Sequence, residues 1–133
     1  EQHIGISKDY NVFELVNSIA NKDIAKATKI LNYVSSNPKS MAIQFITAML
    51  FGLFSKACVL YYHHKDQKKA TEAIGGNPYN MKDPLSAVTK YNAKLPLAIS
   101  LLKEYDLKSK GVDSLYADDS ELLKEMIFRI INL

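Results

Sequence analysis

Between Met41 and Tyr62 the chain carries a single charged side chain, Lys56. A run that long and that apolar can be housed in two ways. It meets the length of a membrane span, or it is the central helix of a bundle whose other members cover it. Gln44, Thr47, Gly52 and Ser55 also interrupt the run, and polar helical segments flank it. The expectation is therefore a buried central helix, with a membrane-associated helical protein kept as an alternative. Asn37-Pro38 offers a cap followed by proline at the first helical position, where its missing N–H costs nothing, so the helix is expected to run from there to about His64.

The rest of the chain reads at helical period, punctuated by Gly, Pro and Asn, with no strand alternation of useful length. Asn11 followed by Glu14 fits a capping box, and Phe13, Leu15, Val16, Ile19 and Ala20 make an apolar face, which predicts a first helix over Val12 to Ala20. Asn21-Lys22-Asp23 is a tight link. Ile24, Ala27, Ile30, Leu31 and Val34 then recur to about Ser35, giving an antiparallel helical hairpin. A short charged helix is expected over Lys65 to Ile74, ended by Gly75-Gly76. Asn77-Pro78 and Asp83-Pro84 suggest an irregular turn and a helix from about Pro84 to Tyr91. Pro96 falls in the first turn of a helix running from about Lys94 to Lys110. Glu104 and Asp106 each precede a lysine by four residues, Lys108 and Lys110, and Gly111 can take the left-handed turn after the cap. With Asp118 as cap and Glu121 at the capping-box position, a last helix starts near Asp118 or Asp119. The fold class expected is all-α, a bundle of six or seven helices in a single domain spanning residues 1–133.

That size suffices to bury a core without staples. One cysteine excludes an internal disulfide framework and fits a reducing, cytoplasmic setting. A net charge of +3 makes any DNA contact weak or indirect. The chain opens on Glu1 without a methionine or a charged-then-apolar leader, so a piece excised from a longer chain is expected.

Chemistry-bearing patterns fail one by one. His63 and His64 are adjacent and point about a hundred degrees apart on a helix, so they cannot grip one metal as an i, i+4 pair can. His3 is isolated. Cys58 lies in the apolar run, has no His or Asn partner, and burial there raises its pKa. Ser7-Lys8 and Ser109-Lys110 lack the spacing of Ser/Lys catalysts, and Gly75-Gly76 is not followed by Lys-Ser or Lys-Thr as a phosphate loop requires. Asp118, Asp119 and Glu121 cluster at a helix N-terminus, where carboxylates stabilise without any function. Residues 68–74, the Gly75-Gly76-Asn77 turn and the helix near Leu85 to Tyr91 could pass for a helix-turn-helix. Lys82 and Lys90 are its only cations near the second helix, and no Arg, Asn or Gln stands there to read bases. No catalytic residue, metal or cofactor is expected.

Surplus apolar surface points elsewhere. In the last helix Leu122, Leu123, Met126, Ile127, Ile130 and Ile131 form one stripe, and Phe128 lies off it. In the preceding helix Leu95, Ile99 and Leu102 mark the core line, with Leu97 and Leu101 away from it. Such an arc fits a subunit interface, and equally a bundle that surrounds that helix. Tyr105 and Arg129 are candidates for the rim of a partner contact, or for solvated positions. The candidate partner-binding set is Leu97, Leu101, Tyr105, Phe128 and Arg129.

The run Tyr105-Asp106-Leu107-Lys108-Ser109-Lys110-Gly111, followed by Glu121-Leu122-Leu123-Lys124-Glu125-Met126-Ile127-Phe128-Arg129-Ile130-Ile131, resembles the C-terminal domain of the DNA polymerase III delta subunit. That subunit opens the sliding clamp within the bacterial clamp loader. Ile4 to Leu15 is similar to the family's lead into this domain, with residues 1–10 extended, and Asn21-Lys22-Asp23 with Ala25-Lys26-Ala27 to its next helix start. Residues 75–84, crowded by two prolines, depart from the pattern. The resemblance implies a collar-type fold that joins matching domains of the ATPase subunits and of delta-prime in a five-membered ring. It also implies that the sliding clamp is reached only through two AAA+-related domains absent from this length of chain, that no membrane is involved, and that the domain itself is no enzyme. A helical DNA-binding regulator is the other alternative.

Overall fold

The computed structural model describes residues 10–37, 42–63, 67–73, 75, 81–111 and 118–133. Among them the architecture is all helical: α1 (Val12–Ala20), α2 (Ile24–Ser36), α3 (Ile43–Tyr62), α4 (Gln67–Ala73), α5 (Lys82–Tyr91), α6 (Leu95–Ser109) and α7 (Asp119–Ile131). A single 3-10 turn, Asn92–Lys94, joins α5 to α6. The lead-in residues 1–9, Pro38 and His64 lie outside the described residues, as do His3, Ser7, Lys8 and most of the 75–84 connection.

Local chemistry sets several boundaries where the spacing predicts them. Asn11 Oδ1 accepts from the Glu14 N–H at 2.9 Å and starts α1. Asp23 and Asp118 do the same for α2 and α7, accepting from Lys26 N–H and Glu121 N–H. Each cap satisfies an N–H that has no partner within its helix. At the C-terminus of α6, Gly111 takes φ +94°, a conformation that side-chain-bearing residues adopt at a cost. Lys108 and Lys110 pair with Glu104 and Asp106 at 3.1 and 3.0 Å.

The start expected for α3 at Asn37-Pro38 runs into residues outside the described set; the Asn37 backbone and side-chain N–H groups both donate to the Tyr33 carbonyl at 3.0 Å and close α2. The first described residue before α3 is Ala42, which offers no side-chain cap. The start of α5 differs from expectation. Asp83 does not cap it: the helix begins at Lys82, two residues before the expected Pro84, and the Asp83 carboxylate accepts from Asn17 Nδ2 at 2.9 Å, tying α5 to α1. Pro84 then sits in the first turn, where no N–H is needed.

α3 packs against α5 and α6, and α6 also packs against α7. The core runs through Ile46, Leu50, Phe54, Tyr91, Leu102 and Met126, all essentially inaccessible. Tyr91 meets Phe54 edge-on at 5.0 Å and donates its hydroxyl to the Ile19 carbonyl at 2.6 Å, locking α5 to α1. α3 is long and apolar enough to cross a membrane by length and composition, yet residues of one face, from Ile43 to Ala57, lie in this core. It is not covered all round: Phe45 and Phe51 are exposed.

Candidate interaction surface

All six residues of the expected α7 stripe are buried, and Phe128 points away from them, 66 % exposed. Four residues on from Leu122, Leu123, Met126 or Ile127 the helix returns to the core, and Phe128 falls between these returns, so its phase leaves it on the outer face. α6 differs from expectation. Its buried residues are Leu95, Ala98, Leu101, Leu102 and Tyr105, while Ile99 is half-buried. Because α6 is wedged between α3 and α7, the buried arc widens enough to take in Leu101, at 9 % exposure, and the core line is not the one drawn from Ile99. Leu97 remains outside, at 53 %.

Leu97, Leu101, Phe128 and Arg129 nevertheless line one groove between α6 and α7. Leu101 forms its floor, and Leu97 and Phe128 stand exposed on it. A second depression, lined by Thr28 and Leu31 of α2 with Lys124 and Glu125 of α7, lies on the other side of Phe128.

Tyr105 does not line the groove. Its ring is wholly buried, so it is not a solvated position, but its hydroxyl reaches the edge, donates to Glu125 and accepts from Arg129 Nη1 at 3.1 Å. Arg129 Nη1 also bonds Glu104 at 2.8 Å, and Lys108 bonds Glu104 from the next turn. Lys108 first and Arg129 after it hold the Glu104 carboxyl below the usual carboxylate range. Burial, and then Glu125, pushes the Tyr105 phenol up. Tyr105 and Arg129 are thus a buried–exposed pair that fixes α6 on α7 beside the groove.

Cys58 is half-buried rather than fully so, and burial raises its thiol pKa, which disfavours the nucleophilic thiolate. Among the described residues no group of three His, Cys, Asp or Glu side chains could hold a metal ion. Ser109 and Lys110 are spent on Asp106 in the last turn of α6.

An all-helical chain with this C-terminal pair of helices has a counterpart among known families: the sequence model of the DNA polymerase III delta subunit, C-terminal domain, matches residues 9–129. The chain belongs to that family. No curated protein and no solved structure matches it. In this delta C-terminal domain the match takes in α1 and most of α7, and so both walls of the groove.

Sequence reasoning misassigned two other apolar residues and overlooked one role. Phe13 and Ile24 were placed on core faces by their period, yet they are 64 % and 52 % exposed. Each stands at the start of its helix, where no neighbouring helix covers that phase. The bond from Tyr105 to Glu125 joins two helices; the only signal in the chain was a tyrosine on the core face of one and a glutamate on the outer face of the other.

Proposed function

We propose that this domain is the non-catalytic collar of a clamp-loader delta subunit, an oligomerisation module that supports sliding-clamp loading in DNA replication. Its partners are the matching domains of the ATPase subunits and of delta-prime. The sliding clamp is engaged by domains that precede this one in the longer subunit, and DNA is touched weakly or indirectly. The setting is the cytoplasm. The 133 residues act as one helical domain.

The observation that carries the reading, beside the family, is the groove between α6 and α7, which two exposed apolar side chains, Leu97 and Phe128, both line. Scattered exposed apolar side chains are ordinary, but large ones gathered on one concave surface mark interaction sites. Leu97, Leu101, Phe128 and Arg129 form the contact, and Tyr105 positions it. The test is the intact subunit carrying Leu97→Ser and Phe128→Ser, mixed with the other loader subunits and followed by sedimentation velocity. Loss of the complex with an unchanged thermal midpoint is expected. Full assembly by the double variant would refute the assignment.

A further inference from the structure

α1, α3 and α5 enclose a separate groove of about 540 Å³ that shares no residue with the α6–α7 face. Its floor is the outward strip of α3, formed by Ala48, Met49, Gly52 and Leu53; Phe13 stands on the α1 wall and Pro84 on the α5 wall. Exposed Phe45 continues the strip one turn earlier. Ala48 and Gly52 are one helical turn apart, and a Cβ placed on Gly52 would meet nothing within 4 Å. The floor is therefore low enough for another helix backbone to come close.

The charges around this groove are uneven in how they are used. Its two carboxylates are engaged within the domain: Glu14 pairs with Lys26 at 2.6 Å, and Asp83 accepts from Asn17. Its two cations are not. Lys56, half-buried and the sole charge on α3, has no carboxylate partner among the described residues, and neither has Lys82. Lys82 moreover opens α5, at the helix end whose dipole disfavours a cation. Two uncompensated cations beside an apolar floor are complementary to a ligand with apolar anchors and flanking carboxylates.

We propose that the groove between α1, α3 and α5 docks an acidic amphipathic helix of a partner protein, with its apolar residues on Ala48, Met49 and Gly52 and its carboxylates on Lys56 and Lys82. Helix-in-groove docking reads i, i+3, i+4 and i+7 anchors, and the strip on α3 has that spacing. A lipid surface shares the preference for cations beside apolar groups, and Phe13 and Phe45 are exposed to one. The floor of Met49, Gly52 and Leu53, however, is recessed between helices, a shape that fits an inserted helix and not a flat bilayer.

Two synthetic helical peptides test this, with leucines at i, i+3, i+4 and i+7 and with either glutamates or lysines flanking them. Binding to the 133-residue chain is read by fluorescence anisotropy and mapped by amide chemical shifts. The glutamate peptide is expected to bind at least tenfold more tightly, with shifts at α1, α3 and α5. Joint Lys56→Glu and Lys82→Glu substitution is expected to reverse the preference. Gly52→Leu raises helix propensity and fills open space, so it should keep or raise the thermal midpoint while weakening the glutamate peptide at least tenfold. Leu97→Ser with Phe128→Ser should leave peptide binding intact, which separates this groove from the assembly face. Equal affinity for the two peptides, unchanged binding by Gly52→Leu, or shifts confined to α6 and α7 would overturn the proposal. So would binding to phosphatidylserine vesicles without binding to the glutamate peptide.

Discussion

Replacing Tyr105 by phenylalanine isolates what fixes α6 on α7. The ring is wholly buried and would stay in place; the change removes only the hydroxyl that donates to Glu125 and accepts from Arg129 at 3.1 Å. A hydrogen bond to a charged group contributes about 1.5–3 kcal/mol in protected surroundings. Here the Glu125 side chain is 57 % exposed and that of Arg129 45 %, so water takes the vacated position on both. No buried group is left unpaired, and the loss should be about 1 kcal/mol. Urea unfolding of the chain measures it through the midpoint at constant slope. A double-mutant cycle with Glu125→Gln should return a coupling of about 0.5–1 kcal/mol. A cost below about 0.3 kcal/mol together with zero coupling would show that the hydroxyl does not hold the two helices together, and that apolar packing of the α7 stripe does so alone.

pH should act on the fold at both ends of the scale. Tyr91 by burial, and Tyr105 by burial and then Glu125, have folded phenols pushed above the ordinary value of 10. Their contribution is complete below pH 10 and falls away as pH rises through the folded values, so urea midpoints should drop above pH 10 and drop less in Tyr91→Phe. Glu104, held low by Lys108 and Arg129, contributes in the opposite sense: its share is present above the ordinary 4.5 and is lost as pH falls through the depressed value, a small effect because the group is solvated. Gly111→Ala should destabilise by about 1 kcal/mol. A Cβ there meets nothing within 4 Å, so the cost comes from φ +94° alone; an unchanged urea midpoint would show that the end of α6 relaxes.

What was legible in the chain was local. Asn11 and Asp118 cap helices through bonds spanning three residues, and a bond that short is written in the sequence; Asp23 makes the same bond to Lys26 from a stretch that reads only as a tight link. The α7 stripe was legible because six apolar residues share one side and Phe128 does not. α3 was not, since a helix apolar almost all round gives no phase from which to tell Leu50, buried, from Phe51, half exposed. Asp83 has the residue type of a cap but lies inside α5, where its carboxylate accepts from Asn17 of α1, a bond between distant segments that the sequence around it does not record. Leu101 is sunk to the floor of the α6–α7 groove by the position of α7, which no feature of α6 records.

The magnitude expected at the proposed collar contact follows from how much of each anchor is still exposed. Fully burying a Leu or Phe side chain contributes about 1.5–3 kcal/mol. Phe128 and Leu97 retain 66 % and 53 % of their accessibility, so a partner that covered them would gain roughly 1–2 kcal/mol from each. Leu101, already at 9 %, can add little to binding, and its truncation would instead cost about 2–5 kcal/mol of fold stability. The two leucines of one groove should therefore separate. Leu97→Ser weakens assembly by roughly five- to thirtyfold and leaves the fold intact, whereas Leu101→Ala destabilises the domain whether or not a partner is present. A depression on either side of Phe128, one backed by α6 and one by α2, also favours a partner with a different surface over a second copy of the same face. A two-fold contact would have to oppose Phe128 to itself or offset it into its own groove, while a head-to-tail contact leaves the partner free to supply the shape that fills both hollows.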